Sequence, residues 1–289
     1  MADNQRFTKI KKNVWKMESD GAMYSVKKYA SLAQAVKVRQ VHQLLSAQHF
    51  PYILPIVDKS DPLLIMQPWL ENAKAVNFKR RIDRIDSFRA LQALHDTKYT
   101  IDWQSISCLP HYHMIEKWEI RLARFEELRE MCGAFLTSST IDQLLQYGRG
   151  ALQIAKKEPP PVHSLTLLHG DVVHHNILRD STGNIRFIDF DLACLGTEED
   201  ERVLWMHRVL PQISYNPTFL MGEHPALQTL SNQSLAKLLY PNEVLREWLH
   251  LLSLPLAQQQ RMASKLLHFT DTALSHWPRL WYDIERMMK

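Results

Sequence analysis

The chain has 289 residues, of which 45% are hydrophobic, and its formal net charge is +4 at pH 7. This length permits one large domain or two lobes with a substantial core. The positive charge is scattered along the sequence, which argues against a nucleic-acid-binding protein, and no apolar run approaches the roughly 20 residues of a membrane span.

The three cysteines, Cys108, Cys132 and Cys194, are far apart and odd in number. They match neither a disulfide framework nor a zinc site. The N-terminus also lacks the apolar core of a signal peptide. We therefore expect a reducing setting inside the cell, that is, a cytoplasmic protein.

The first third of the sequence predicts a small β-rich lobe with one helix, assigned to residues 1–66. Strand-like segments flank short turns, and the helical segment carries apolar residues at helical spacing. The predicted strands are Arg6–Ile10, Asn13–Glu18, Ala22–Tyr29, Ile53–Val57 and Leu63–Met66, and the predicted helix is Ser31–Gln48.

The remainder predicts a connection at residues 67–72 and a mainly helical lobe at residues 73–289. The connection begins at Gln67-Pro68-Trp69-Leu70, for which an ordinary strand-to-loop exit is the alternative. The predicted helices are Ile82–His95, Trp118–Glu126, Ser139–Lys157, Glu199–Leu210, Leu227–Leu239, Val244–Leu254 and Leu256–Leu274.

The most informative stretch is Leu168-His-Gly-Asp-Val-Val-His-His-Asn-Ile-Leu178, which is followed by Ile188-Asp-Phe-Asp191. Asp171 and Asn176 are separated by four residues, and Asp189 lies thirteen positions beyond Asn176. The residues between them predict a β-hairpin that returns Asp189 to the end carrying Asn176. Each half of the pattern alone is compatible with an ordinary loop. Together they predict a site that holds a nucleotide's metal ions and orients a hydroxyl nucleophile.

Protein kinases use the same Asp-x4-Asn arrangement ahead of an Asp-Phe-Gly metal site. Here Gly170 stands in the place of Arg, and Asp191 stands in the place of Gly. This version resembles the aminoglycoside phosphotransferase and choline kinase-like family, and Trp118–Glu126 resembles a segment of its spore-coat (CotS-like) branch. The resemblance implies an α+β, bilobal protein-kinase-like fold, with a small antiparallel-sheet N-lobe and a larger, mainly helical C-lobe.

The resemblance also implies ATP and Mg²⁺ as cofactors. Asp171 is the expected catalytic residue, which accepts or orients the proton of the attacking hydroxyl. Asn176 and Asp189 are the expected Mg²⁺ ligands. Asp191 is assigned to the same metal site, and a structural turn role is the open alternative.

The nucleotide is expected to contact the N-lobe through Lys27. The segment Tyr24–Lys27 resembles the Val-Ala-Ile-Lys strand of kinases. Ser25 shares a strand face with Lys27 and leaves space for adenine. The alternative is that Lys27 and Lys28 are two solvated lysines on an edge strand. Leu178 and Ile188 are expected in the apolar walls around the nucleotide, which is also compatible with a plain core role.

Adenine is expected to bind backbone groups of the connection near Gln67 and Trp69, because Pro68 has no N–H to donate. Two departures from the kinase pattern are evident. There is no acidic residue between Tyr29 and Phe50 to hold Lys27, and there is no Gly-rich phosphate loop. The polar side chains available in place of the acid are Gln34, Gln40 and Gln43.

The phosphoryl acceptor is expected to bind in the helical lobe, facing Asp171. The candidates are the aromatic and acidic residues Trp118, Trp205, Tyr215 and Glu198–Glu201, which suit a cationic amine. The same residues also fit core aromatics and a solvated helix start, and we prefer that interpretation.

The sequence thus predicts an ATP-dependent phosphotransferase that transfers the γ-phosphoryl group to a hydroxyl of a small molecule, with no nucleic-acid or membrane partner. The alternative is a non-catalytic kinase-like structural protein, for example a spore-coat component. The missing glutamate favours that alternative, and the intact Asp171, Asn176 and Asp189 oppose it. The lack of a Gly-rich loop and of an Ala-Pro-Glu segment argues against a protein kinase.

Overall fold

The computed structural model describes residues 6–57, 60–160 and 164–289. The chain divides into two compact units, residues 1–112 with 165–198 and residues 113–164 with 199–289. The motif segment thus belongs to the same unit as the N-terminal sheet. The lobe boundary predicted at residues 67–72 is a different division and stays a prediction.

Strands are concentrated in the first third of the chain and at residues 166–196, and helices make up most of the remainder. In the described residues, the strands are β1 Arg6–Lys11, β2 Val14–Ser19, β3 Ala22–Lys28, β4 Leu64–Pro68, β5 Lys74–Ala75, β6 Thr166–Leu168, β7 Ile177–Arg179, β8 Ile185–Phe187 and β9 Cys194–Gly196. The α-helices are α1 Leu32–Ala47, α2 Arg81–Asp96, α3 Met114–Glu127, α4 Arg129–Cys132, α5 Ser138–Lys157, α6 Glu198–Val209, α7 Pro217–Glu223, α8 Asn232–Lys237, α9 Asn242–Leu252 and α10 Leu256–Met287.

The first unit opens with a four-stranded antiparallel sheet in the order β1-β2-β3-β4. Its third and fourth strands pair Ser25 with Gln67 and Lys27 with Ile65. Paired residues of neighbouring strands share a face, and alternate residues of one strand do so as well. These four side chains therefore lie on one face of the sheet. Pro68 ends β4, an edge strand, where a missing N–H is tolerated.

The predicted strand at Ile53–Val57 is wrong, because this segment lies outside the strands. Its backbone bonds both backbone and side-chain partners, and the N–H of Val57 donates to the carbonyl of Met66 at 2.9 Å. The carbonyl of Leu54 accepts hydrogen bonds from His42 Nδ1 at 3.1 Å and from Gln67 Nε2 at 2.9 Å. Ile53 and Leu54 are buried, so the apolar run marks a buried connection between α1 and β4.

The motif segment forms the predicted hairpin, β7 and β8, which pairs Ile177 with Phe187. Its turn is stabilised by Asp180, whose side chain accepts from the backbone of Thr182 and Asn184. Gly183 has φ +90°, the positive value that glycine adopts freely. The backbone N–H of Ile188 donates to the carbonyl of Asn176 at 3.0 Å, which closes the hairpin beside the motif residues.

The second unit is helical in its described part. The middle of α5 packs against α3 where Gly148 leaves no side chain in the way, since a Cβ there would lie 2.6 Å from Leu122 Cδ1. Trp118 of α3 stacks on Tyr240 with ring centroids 4.5 Å apart, and its backbone carbonyl accepts from the Tyr240 hydroxyl at 2.8 Å. These contacts form an aromatic core.

Two of the predicted helices at the C-terminal end differ clearly from the structure in their bounds. The helix expected at Leu227–Leu239 is reduced to α8, which Ser231 caps by accepting from the backbone N–H of Ser234. The helix expected at Leu256–Leu274 continues through Pro278 to Met287. Among the described residues, no helix combines the length and the apolar character that membrane crossing requires.

Candidate active site

The loop after β6 is shaped by Gly170. This residue has φ +80°, and a Cβ there would lie 2.1 Å from the backbone oxygen of Leu192. A side chain is therefore excluded both by the backbone conformation and by the close approach of residues 190–192. The replacement of the kinase Arg by Gly in this motif has a steric reason in this chain.

His169 connects this loop to the strand that precedes Asp189. Its Nδ1 accepts from the backbone N–H of Asp171 at 3.3 Å, and its Nε2 is 2.9 Å from the carbonyl of Ile188. Because a carbonyl only accepts, Nε2 carries the proton and Nδ1 does not. The ring is fully buried and lies 4.5 Å from that of Phe190. These contacts give His169 a structural role, which is to hold the loop against the strand before Asp189.

Asp171 and Asn176 are in direct contact. The amide Nδ2 of Asn176 donates to Asp171 Oδ2 at 3.0 Å and to its carbonyl at 3.1 Å. The nitrogen side of this amide is therefore committed, and its oxygen Oδ1 is left to accept or to bind a cation. Asn176 is buried, so the amide is held in this orientation.

Asp189 follows β8 with φ 67° and ψ 62°, a left-handed conformation that is uncommon for residues other than glycine. Burial by itself would raise its pKa, but the hydrogen bond and charge of Lys27, with the charge of Lys11, outweigh burial and lower the pKa. The carboxyl group is therefore held as an anion. Local strain and a stabilised charge at one residue are typical of a functional site.

Lys27 lies between two carboxylates. Its Nζ is 2.6 Å from Asp189 Oδ1 and 2.7 Å from Asp191 Oδ2. The other oxygen of Asp191 accepts from the hydroxyl of Tyr29 at 2.7 Å. Burial, followed by the charge of Asp191, raises the pKa of Tyr29 well above its usual range, so this hydroxyl keeps its proton and donates. Lys28, in contrast, is exposed.

Helix α1 reaches the same segment through Lys37. Its Nζ donates to the carbonyl of Asp191 at 2.8 Å and to that of Ala193 at 3.0 Å. Burial lowers the pKa of Lys37, and the nearby Cys194 and Asp191 oppose that effect. In the described residues, none of the glutamines considered from the sequence as a substitute for the acid bonds Lys27. Gln40, for example, accepts from Cys108 Sγ at 3.1 Å.

A cavity of about 360 Å³ adjoins these groups, within the size range of small-molecule sites. It lies within the first unit, between the inner face of the sheet and the β7–β8 hairpin. Its lining includes the six residues that the sequence predicts for the nucleotide, namely Ser25, Lys27, Gln67, Trp69, Leu178 and Ile188. The structure thus brings them together with Asp189, although their roles stay a prediction.

The connection after β4 offers few free backbone donors. Pro68 has no N–H, and the N–H of Trp69 donates to the carbonyl of Met23 at 2.9 Å. Both Pro68 and Leu70 line the cavity. The predicted connection at residues 67–72 begins inside β4. Leu70 is its first residue with an N–H that bonds no described backbone carbonyl.

Comparisons with known proteins identify the family. The sequence model described as the phosphotransferase enzyme family (APH) matches residues 12–198, well over half of the chain. The chain belongs to the phosphotransferase enzyme family. This confirms the predicted family and the prediction that the chain is an enzyme of the small-molecule kinase type. The resemblance to the spore-coat branch stays a prediction, and a search of curated proteins found no match.

Solved structures show the fold. An aminoglycoside phosphotransferase from Alicyclobacillus acidocaldarius has a TM-score of 0.70 at 13% identity and covers 99% of this chain and 94% of its own. A choline/ethanolamine kinase family protein from Mesorhizobium loti has a TM-score of 0.62 at 9% identity and covers 99% of this chain and 94% of its own. A spectinomycin phosphotransferase, solved with ADP and spectinomycin, has a TM-score of 0.63 at 16% identity, covering 94% and 92%. The predicted protein-kinase-like fold is confirmed.

Sequence reasoning missed Lys11 as a site residue of this phosphotransferase. It is the last residue of β1, lines the cavity, and places its Nζ 3.7 Å from Asp189 Oδ2. The run of lysines at the start of the chain was a signal, but only the register of the β1–β2 hairpin shows which lysine faces the site. The hairpin thus brings a flexible cation to the place where kinases have a Gly-rich loop.

The aromatic residues considered for the acceptor lie in the core of the second unit. Trp118, Trp205 and Tyr215 are all buried. Asp200 pairs with Lys237 at 2.7 Å, and Glu199 accepts from the Ser231 hydroxyl at 2.6 Å. The aromatic residues are therefore core groups, as the preferred interpretation has it. The solvated helix start is wrong, because Glu199, Asp200 and Glu201 are buried.

The oxygen donors at this site fit Mg²⁺, which favours few protein ligands together with phosphate oxygens and water. Asp189 offers a carboxylate of lowered pKa, and Asn176 offers the amide oxygen that its hydrogen bonds leave available. In the described residues, no cluster of three or more His, Cys, Asp and Glu side chains is arranged to hold a metal alone. A metal ion here would depend on the oxygens of a bound nucleotide.

Proposed function

We propose that this phosphotransferase transfers the γ-phosphoryl group of ATP, with Mg²⁺, to a hydroxyl of a small molecule. The observation that carries the proposal is the contact of Lys27 with Asp189 at 2.6 Å, at a cavity that both residues line together with Gln67 and Trp69. A cation for phosphates, a carboxylate for a metal and a slot for a base are thus adjacent in one unit of the fold.

The orientation of Gln67 supports an adenine nucleotide. Its Nε2 donates to the carbonyl of Leu54 at 2.9 Å, and because a carbonyl cannot donate, the amide cannot be flipped. Its oxygen is therefore left as an acceptor on a cavity-lining side chain. Adenine presents an amino donor at its sixth position, whereas guanine presents a carbonyl oxygen there. We expect the Leu70 N–H to serve as the hinge donor.

The phosphates are assigned to Lys27 and Lys11, and the metal to Asn176 and Asp189. When bound, Mg²⁺ neutralises charge on the β- and γ-phosphate oxygens. The two lysines contribute further positive charge from β3 and from the end of β1. Asp191, which the sequence predicts at the metal site, is not assigned to the metal.

Asp171 is assigned to the acceptor. The transition state of phosphoryl transfer is loose in most analyses, so positioning and charge neutralisation carry most of the catalytic effect. Asn176 holds one oxygen of Asp171, and His169 holds its backbone N–H. The carboxylate is therefore pre-oriented to accept a hydrogen bond from the hydroxyl of the acceptor. We expect small alcohols, amino sugars and amino alcohols among the acceptors.

A thermal-shift comparison tests the nucleotide and the metal. Ligands that bind only the native state raise the unfolding free energy by RT ln(1+[L]/Kd). ATP with Mg²⁺ is expected to raise the melting temperature more than ATP with a chelator, and more than GTP with Mg²⁺. Equal shifts with and without metal would remove Mg²⁺ from the proposal. The absence of any shift would support the structural-protein alternative.

Two carboxylate variants test the division of roles. Asp171→Asn keeps the shape of the side chain but removes the proton acceptor, so we expect transfer to fall by about 10²- to 10⁴-fold while Mg·ATP still binds. Asp189→Asn is expected to impair metal-dependent binding and transfer together. Both variants are assayed by calorimetry and by phosphate transfer across a panel of alcohols and amino sugars. Loss of nucleotide binding in Asp171→Asn would contradict its assigned role.

A further inference from the structure

The phosphate-binding lysine of this chain lacks the partner that kinases provide. In kinases a glutamate on the helix after that strand holds the lysine in position. Here residues 30–57, which include all of α1, contain no Asp or Glu. A lysine has a long, flexible side chain that loses conformational entropy when it is held, so some other anion must orient Lys27 if it is to meet phosphates.

Two carboxylates among the described residues reach Lys27. Asp189 lies 2.6 Å away and Asp191 lies 2.7 Å away. Asp189 is also the proposed metal ligand, and its carboxylate cannot serve the metal and the lysine equally. Asp191 has no such competing assignment from its geometry. One of its oxygens takes Lys27, and the other takes the Tyr29 hydroxyl at 2.7 Å.

Tyr29 is well placed to fix Asp191. It follows Lys27 by two residues and so extends the same face of β3, and its ring lies 5.1 Å from Lys27 Nζ. Its side chain is buried, and its backbone N–H donates to the carbonyl of Leu63 at 2.9 Å. Strand β3 and the residue that follows it therefore present the lysine and the hydroxyl that orients the anion for that lysine.

Helix α1 contributes to the same arrangement with the opposite charge. Instead of an acid that reaches Lys27, it supplies Lys37, whose Nζ bonds the carbonyls of Asp191 and Ala193. These bonds hold the backbone of residues 191–193 against α1. The helix thereby positions the chain segment that carries the anion and does not provide the anion itself.

We infer that Asp191 is the positioning residue for Lys27, that Tyr29 and Lys37 hold Asp191 in place, and that this arrangement replaces the missing helix glutamate. It rests on the proposed function, since Lys27 must bind nucleotide phosphates for its position to matter. It also moves Asp191 from the metal site, where the sequence placed it, to the lysine.

A double-mutant cycle tests the assignment. Calorimetry measures the affinities of wild type, Lys27→Ala, Asp191→Asn and the double variant for Mg·ATP and for adenosine. Each single change is expected to weaken Mg·ATP binding by about tenfold, which corresponds to about 1.4 kcal/mol. Adenosine, which has no phosphates, should bind all four proteins alike. The double variant should bind Mg·ATP no more weakly than Lys27→Ala alone, because Asp191 acts through that lysine.

A residue that binds the metal, or that only stabilises the fold, gives a different result. Asp191→Asn would then weaken Mg·ATP binding further in the Lys27→Ala background, and the inference would be overturned. If the wild type binds no nucleotide at all, the proposed function fails and the inference fails with it. If the wild type binds Mg·ATP but the losses of the two single variants add up in the double variant, the inference is overturned while the proposed function stands.

Tyr29→Phe is a milder second variant, because it removes only the hydroxyl that holds Asp191. It is expected to weaken Mg·ATP binding by a few-fold in the wild-type background and not at all in the Lys27→Ala background. Tyr24→Phe is the matched control, since Tyr24 lies on the same strand but on its other face, and it should leave binding unchanged. Equal losses in the two tyrosine variants would contradict the assignment.

Discussion

Two residues of the motif have backbone conformations that depend on contacts within the first unit. Gly170 and Asp189 both have positive φ, at 80° and 67°. The glycine avoids the backbone of Leu192, and the aspartate is fixed by the cations around it. Positive φ costs a glycine little, whereas in Asp189 it costs free energy and persists only where neighbouring contacts impose it. The glycine was visible in the sequence, but the contact that requires it was not.

Gly170→Ala is expected to disrupt catalysis out of proportion to its size. The added Cβ meets the Leu192 oxygen at 2.1 Å, so the loop bearing Asp171 or the segment bearing Asp191 must shift. A displacement of this order costs about 100-fold in rate. Transfer rate and melting temperature are the measurements.

Gly183→Ala is the matched control for that variant. It also has positive φ, at 90°, but nothing lies within 4 Å of the added Cβ. We expect it to cost roughly 1 kcal/mol of stability through backbone strain alone and to leave the transfer rate nearly unchanged. A similar rate loss in both variants would show that positive φ, and not the close approach of Leu192, explains Gly170.

At the scale of elements, local patterns were predictable and long-range ones were not. The β7–β8 hairpin and α1 follow from turn residues and periodicity within a short window. The pairing of Tyr29 with Asp191 joins residues 162 positions apart, and no local pattern signals it. The missing helix glutamate was therefore visible as an absence, while its substitute could be found only in the structure.

Helix α10 shows the same limit. Proline normally ends or kinks a helix, at a cost of about 3 kcal/mol, and the helix predicted at Leu256–Leu274 ends before Pro278. The helix continues because Trp277, Leu280 and Ile284 keep its buried face apolar beyond the proline. Packing within the second unit outweighs the local preference, which a single-sequence reading cannot weigh.

The second unit is expected to depend on the ion pair between Asp200 of α6 and Lys237 of α8. The two side chains are 2.7 Å apart and only 10% and 4% exposed. Lys237→Met removes the ammonium group that pairs with the buried Asp200 carboxylate, and breaking a buried ion pair in this way typically costs about 3–5 kcal/mol of unfolding free energy. Urea denaturation measures this cost.

The control for this variant is the exposed pair of Arg129 with Asp142, at a similar distance of 2.6 Å. Arg129→Met should have little effect, because solvent screens exposed ion pairs. If the two variants lost equal stability, burial would not be the determinant of the Asp200–Lys237 pair.

At the scale of the whole molecule, each compact unit contains a buried histidine that is held neutral. His42, in the first unit, donates from Nδ1 to the carbonyl of Leu54, and burial lowers its pKa to about 4. His207, in the second unit, bonds the carbonyl of Lys237, and burial lowers its pKa to about 3. Neither ring takes up a proton in the folded state at mildly acidic pH.

The stability of the protein is therefore expected to fall as the pH decreases below about 6.5. In the unfolded chain both histidines have the ordinary pKa of 6.5, so the unfolded state binds two protons that the folded state does not bind. Acidification then favours unfolding, and at pH 5 each histidine lowers the unfolding free energy by about 2 kcal/mol relative to neutral pH. The loss stops only when the pH reaches the folded-state pKa values near 3 to 4.

Urea denaturation at pH 7 and pH 5 measures the difference for wild type, His207→Gln and His268→Gln. His207→Gln should be less stable than wild type at pH 7, because it loses the contact of the ring with Trp118, yet its stability should depend less on pH, by about 2 kcal/mol over this interval. His268 is exposed, so its substitution should leave the pH dependence unchanged. An unchanged pH dependence in His207→Gln would mean that the folded state admits a proton at this site after all, either on His207 itself or through local opening of the aromatic core around it.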